Sequence, residues 1–167
     1  FAHSLLPKLR AERPMWDWRI HDHSPGWGWA NLHRVKLDLW MGAGFTRENK
    51  LRINLHIGGS ILNNYPQFYH ELCKKESLIK EALGLPLIFT APGSGGAAAG
   101  RIEVDCPATI EEAQESNVIL DWTVLNVISF RSAFTSHIQG VASLAISSGQ
   151  SLTQKPVGAT PYQFNSD

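Results

Sequence analysis

The sequence predicts an α+β fold: an antiparallel sheet of about four strands, in two hairpins, with helices packed on one face in the order αββαββα. Two runs, over residues 34–41 and 50–57, alternate apolar and polar side chains with the period of half-buried strands. Two longer stretches, 64–84 and 117–138, space their apolar residues for one side of a helix. No internal repeat and no second domain interrupt this order.

Taken from the start, residues 4–13 suit a short helix with Leu5, Leu6 and Leu9 on one side and Pro14 stopping it. Residues 15–32 read as an irregular segment rich in tryptophan (Trp16, Trp18, Trp27, Trp29) and broken by Ser24-Pro25-Gly26. In the first strand Val35, Leu37, Leu39 and Met41 face inward, while Arg34, Lys36, Asp38 and Trp40 face out. In the second, Leu51, Ile53, Leu55 and Ile57 face the core, and Lys50, Arg52, Asn54 and His56 face out. A loop over residues 42–49 joins the two as a hairpin. A helix is predicted from about Asn64 to Gly84, capped by Asn63 or Asn64, with Pro66 in its first turn and Phe68, Leu72, Ile79 and Leu83 on one stripe.

Residues 85–90 read as a third strand. Residues 101–106 form a fourth, with Ile102 and Val104 inward and Arg101, Glu103 and Asp105 outward. Between them residues 92–100 form a glycine-rich hairpin tip. Thr109 followed by Glu112 predicts a capping box. The last helix spans about 117–138 and buries Trp122, Phe130, Phe134 and Ile138. Beyond Gly140 the composition turns to Ser, Gln, Gly and Pro, so one domain over 1–140 and an irregular tail over 141–167 are expected. Leu51, Ile53, Leu55, Phe68, Leu72, Trp122 and Phe130 are the expected core.

With 167 residues, 43% of them hydrophobic and 18% charged, the chain can build one ordinary core, and global disorder is excluded. No window reaches the roughly 18 consecutive apolar residues of a membrane span. With no leader pattern and only Cys73 and Cys106, free half-buried thiols in a cytoplasmic protein are expected. Phe1 in place of Met reads as the start of a piece of something longer. The zero net charge hides a split: residues 1–80 carry twelve Lys/Arg against seven Asp/Glu, and residues 81–167 three against eight. An anionic partner would meet the first half.

Four constellations bear on chemistry. Asp38 with Glu48 and Lys50 loosely matches the carboxylates and lysine with which metal-dependent nucleases hold Mg²⁺ and polarise water. Glu48, however, falls in the turn, and Asp38 and Lys50 can pair as ordinary surface charges. His21, His23 and His33 offer zinc ligands, but exposed loop histidines, or histidines packed on the nearby tryptophans, fit the irregular segment better. The loop Gly93–Ala98 matches a dinucleotide fingerprint in letters but is followed by a strand rather than a helix, so a hairpin tip is expected. No metal and no cofactor are expected.

The fourth constellation is the outward face of the first hairpin: Arg34, Lys36, Trp40, Lys50, Arg52 and His56, with Trp27 or Trp29 beside it. Rings that stack bases next to cations that hold phosphates are the means of single-strand binding surfaces. The alternative is that a helix or the tryptophan segment covers this face. Asp38 and Glu48 neutralise only part of the cationic group, and the surplus favours solvent or an anionic partner.

From residue 45 onward the chain resembles a bacterial and archaeal family, domain of unknown function 4268. The likeness lies in Arg47-Glu48-Asn49-Lys50-Leu51-Arg52-Ile53, in the stretch 75–84, in Leu87-Ile88-Phe89 and Gly100-Arg101-Ile102, and in Trp122 followed by Phe130, Phe134 and Ile138. Ser24-Pro25 leading to Trp29 is similar as well. The glycine-rich insert near 93–100 and the tail beyond Gly140 depart from the pattern. The resemblance implies an accessory domain, alone or C-terminal to predicted nucleases, in a DNA-related or defence setting. It supplies no catalytic residues. The expected function is therefore non-catalytic recognition of nucleic acid or of a partner protein, with a metal-dependent nuclease and a structural, homo-oligomerising unit as the rivals.

Overall fold

Ala2–Glu12 forms the first helix, α1, and places Leu5 and Leu9 in the core. In this computed structural model residues 1–18, 30–36, 39–64, 67–94 and 99–147 are described. Three strands follow: β1 (Ala30–Lys36), β2 (Leu39–Phe45) and β3 (Leu51–Ile57). Next come three short helices, α2 (Gly59–Asn64), α3 (Phe68–Cys73) and α4 (Glu76–Leu83). Strands β4 (Ile88–Thr90) and β5 (Gly100–Cys106) lead to α5 (Ile110–Glu115) and the long α6 (Asn117–Ser147). The sheet is antiparallel throughout, in the order β1-β2-β3-β5-β4. The class is α+β.

The helices cover one face of the sheet. Leu39, Met41 and Ala43 of β2, Ile53, Leu55 and Ile57 of β3, and Ile102 and Val104 of β5 share a buried cluster with Leu9, Phe68, Leu72, Ile79, Val127, Phe130 and Phe134 from the helices. Of the expected core, Ile53, Leu55, Phe68, Leu72 and Phe130 lie in this cluster. Leu51 instead joins Phe45, Ala108 and Ala113 in a smaller cluster at the sheet end, and Trp122 is only partly buried, against both.

Four departures from the sequence reading have physical causes. The run 34–41 is two strands rather than one, with Lys36 opposite Leu39, so the described sheet has five strands and the order αββαββα is only approximate. The apolar–polar alternation continues across this division in the sequence, and no Gly, Pro or Asn-Gly marks it. Gly42-Ala43-Gly44-Phe45 is strand, not loop, because β2 lies between β1 and β3 and pairing on both sides overrides the low strand propensity of glycine. The reversal into β3 is the short turn Thr46–Lys50, closed by Thr46 N–H to Lys50 O at 2.8 Å, with Asn49 at φ 57°.

The helix expected over 64–84 is instead a succession of short ones. Lys75 N–H bonds the carbonyl of Leu72, three residues back, and Ile79 N–H then restarts from Lys75 O. The apolar stripe of Phe68, Leu72 and Ile79 is continuous across that break, which hides it from periodicity. Gly84 closes α4 in the left-handed conformation at φ 62°, as its position requires. Pro86 cannot donate to a ladder, so β4 starts only at Ile88.

Other expectations stand. The capping box is present: Thr109 Oγ1 accepts from Glu112 N–H, and Glu112 Oε2 accepts from Thr109 N–H at 2.8 Å. Helix α6 starts at Asn117 and runs to Ser147, seven residues beyond the Gly140 boundary placed for the tail. Cys73 and Cys106 are free and half-buried. Among the described residues no helix is long and apolar enough to cross a membrane.

Candidate recognition face of the sheet

The face of the sheet turned away from the helices is built by alternation. Trp40 on β2, Arg52, Asn54 and His56 on β3, and Arg101, Glu103 and Asp105 on β5 occupy the positions between the buried aliphatics. Antiparallel register aligns them in rows. Trp40 is opposite His56, and His56 is opposite Arg101; Gly42, Asn54 and Glu103 make the next row, and Gly44, Arg52 and Asp105 the third. On β1 the backbone of Arg34 is opposite Trp40.

The first row is aromatic. The Trp40 and His56 rings stack with centroids 4.6 Å apart and planes 15° from parallel. Both are half-buried, as is Arg101 beside them.

The other two rows form a charge ladder. Arg52 grips Asp105 in a two-point pair, Nε to Oδ1 at 2.6 Å and Nη2 to Oδ2 at 2.9 Å, and its Nη1 lies 3.1 Å from Glu103 Oε1. The hydrogen bond from Arg52 holds the Asp105 carboxyl below the usual carboxylate range. Arg101 Nε is 4.0 Å from Glu103 Oε2. Asn54 and Glu103 are 5% and 6% exposed, so the middle of this face is buried. Asn54 Oδ1, Arg101 Nε and Glu103 Oε2 are each buried without a hydrogen-bond partner.

The six residues expected to share a surface are thus placed differently. Trp40, Arg52 and His56 lie together on this face. Lys50 does not: it belongs to the exposed Thr46–Lys50 turn, where its Nζ is 3.4 Å from Glu48 Oε2. Arg34 and Lys36 lie on β1, the edge strand, and only their backbone placement is described. The surplus of cations argued from Asp38 and Glu48 needs correction. Glu103 and Asp105, supplied by a strand distant in sequence, neutralise Arg52, and the four charges of β3 and β5 on this face balance.

Sequence reasoning missed Arg101, Glu103 and Asp105 as members of the site. Their outward alternation was legible, but the neighbourhood of β3 and β5 was not. Glu48 sits in the turn with Lys50, and Asp38, its expected partner in a metal site, is outside the described residues, as are His21, His23, Trp27, Trp29, Pro66, the loop tip 95–98 and the tail from 148. His33 lies on β1, its backbone opposite Met41. Among the described residues no three His, Cys, Asp or Glu gather as metal ligands. No family model, curated protein or solved structure matches the chain.

Proposed function

We propose that this chain is a non-catalytic recognition domain that holds single-stranded nucleic acid along the row Trp40–His56–Arg101. The observation that supports it is the parallel stack of Trp40 on His56, with Arg101 opposite His56 on the neighbouring strand. An unpaired base adds to such a stack for about 1–3 kcal/mol, with little regard to its identity. The Arg101 side chain is 37% exposed and within reach of a phosphate, whereas Arg52 is spent on Asp105 and Glu103. Because the ladder beneath is charge-balanced, stacking outweighs phosphate attraction at this row, and single strands are preferred over duplex. A DNA-related setting, by resemblance to domain of unknown function 4268, belongs to the same proposal.

The test is fluorescence anisotropy of a labelled single-stranded oligonucleotide and of its duplex, with the His56→Ala and Arg101→Gln variants alongside. Single-strand binding that weakens in both variants supports the reading; binding equal to that of the duplex, or unchanged in both variants, overturns it.

A further inference from the structure

A second cluster of cations and rings lies on the helical side of the molecule, where the end of α1 and residues 13–18 meet the middle of α6. The Arg131 guanidinium lies against two indoles at once, 4.5 Å from the ring centre of Trp16 and 4.5 Å from that of Trp18. The rings themselves are 5.4 Å apart at 50°. Arg13 lies over Trp16 at 6.0 Å. Trp18 is buried and its indole Nε1 donates to Arg13 O at 3.2 Å, which fixes the corner.

Three arginines meet here; their hydrogen bonds among the described residues go to backbone carbonyls, and the Asp17 carboxylate acts on Arg131 through space. Arg10 Nη2 donates to Trp18 O at 3.4 Å, Arg13 Nη1 to Glu12 O at 3.0 Å and Arg131 Nη1 to Asp17 O at 3.3 Å. Each of these contacts occupies one of the five N–H donors of a guanidinium. Among the described residues none of the three makes an ion pair with a carboxylate. Elsewhere several described lysines and arginines pair with acids: Lys8 with Asp121, Lys74 with Glu71, Lys80 with Glu76 and Arg52 with Asp105.

Three like charges gathered around two rings repel one another, and burial disfavours the charge of Arg131 by more than the Asp17 carboxylate restores it. The carbonyl end of α1 offsets this for Arg10 and Arg13, although the effect of a helix end fades within a turn. An anion offsets it more fully. Contact with both indoles and the bond to Asp17 O narrow the range of the Arg131 side chain, so its remaining donors reach a planar or tetrahedral oxyanion at a smaller loss of freedom. Arg10 and Arg13 are exposed beside it, and the half-buried Trp16 ring borders the same corner.

We infer that Arg10, Arg13 and Arg131, set on Trp16 and Trp18, form a binding site for phosphate groups of a polyanion. Its location is independent of the row on the sheet, and it stands whether or not that row binds single strands. The phosphates come either from a nucleic-acid backbone or from a free polyphosphate.

The Trp18 indole N–H resonance, held by Arg13 O, reports on the corner. The full chain is titrated with sodium tripolyphosphate and, separately, with a single-stranded oligonucleotide. A saturable shift of that resonance with either probe is expected, and whichever probe gives it identifies the source of the phosphate. Changing Arg10 and Arg13 together to Gln should weaken binding by about tenfold or more. Changing Lys74 and Lys75 to Gln, which removes equal charge elsewhere, should leave it within about twofold. Arg10→Gln alone, at an exposed position, gives the same test with less burden on folding. His56→Ala and Arg101→Gln should leave the tripolyphosphate shift intact, so failure of the sheet row and failure of this site are separate results. No saturable shift with either probe, or equal weakening in the two double variants, overturns the site.

Discussion

Trp40 and His56 face each other across β2 and β3 as a parallel stack, 4.6 Å between ring centres. The pairing follows from the Thr46–Lys50 turn. That turn sets Phe45 opposite Leu51, and five residues further along each strand the register puts Trp40 opposite His56. Such cross-strand aromatic pairs stabilise a sheet by about 0.2–1 kcal/mol. The same register places Arg101 next in the row, so one turn geometry organises both the sheet and its candidate site.

Arg52 is the counter-charge of a buried acid. Glu103 is 6% exposed, and removing Arg52 leaves its carboxylate in the interior with only the longer contact to Arg101, 4.0 Å away. Arg52→Ala is expected to lower the unfolding free energy by about 3–5 kcal/mol in urea denaturation. The double variant Arg52→Met with Glu103→Leu should recover much of that loss, since the buried charge goes with its partner. Equal stability of Arg52→Ala and the parent would show that the ladder does not form.

Acid should weaken the fold through Asp105. Its folded carboxyl titrates below the unfolded one because Arg52 donates to the ionised form. The sign follows: the unfolded chain takes up the proton first, so this stabilisation is fully present above the ordinary carboxylate range and is lost as pH falls through the lower, folded value. Thermal midpoints measured from neutral to acid pH should therefore drop less for Asp105→Asn than for the parent. A parallel fall in both proteins would remove Asp105 from the account.

Phe130 anchors α6 against the sheet. It is fully buried and packs on Phe134 with ring centres 4.7 Å apart. Phe130→Ala should cost about 3–5 kcal/mol, the range for a large side chain removed from a packed core. An unchanged denaturation midpoint would contradict this packing.

The capping box gives a smaller, local effect. Thr109→Ala removes the acceptor for Glu112 N–H and should cost about 1 kcal/mol, measured by chemical denaturation. Glu112→Gln retains a side-chain acceptor for Thr109 N–H and should cost less.

What was legible in the sequence was local. Alternation in β3 and β5, the box at Thr109 and Glu112, the left-handed Gly84 and the start of α6 each depend on a few neighbouring residues. What was not legible needs partners. The division of residues 34–41 between β1 and β2, and the strand character of Gly42 and Gly44, come from pairing on both sides of β2. Lys50 keeps the alternation of β3 on paper, yet the turn claims it. At the site, the placement of Trp40, Arg52 and His56 on one face was readable, and the acids that neutralise Arg52 were not, because β5 reaches β3 only after a long excursion through three helices.

The most direct test of the central claim is the anisotropy of a labelled single-stranded oligonucleotide titrated with the parent and with His56→Ala. Half of the Trp40–His56 stack is lost in the variant, and binding should weaken by about 1–3 kcal/mol while the thermal midpoint stays near that of the parent. Equal affinity of the two proteins, or no single-strand binding by the parent at low salt, would contradict the claim that this stack is a recognition surface.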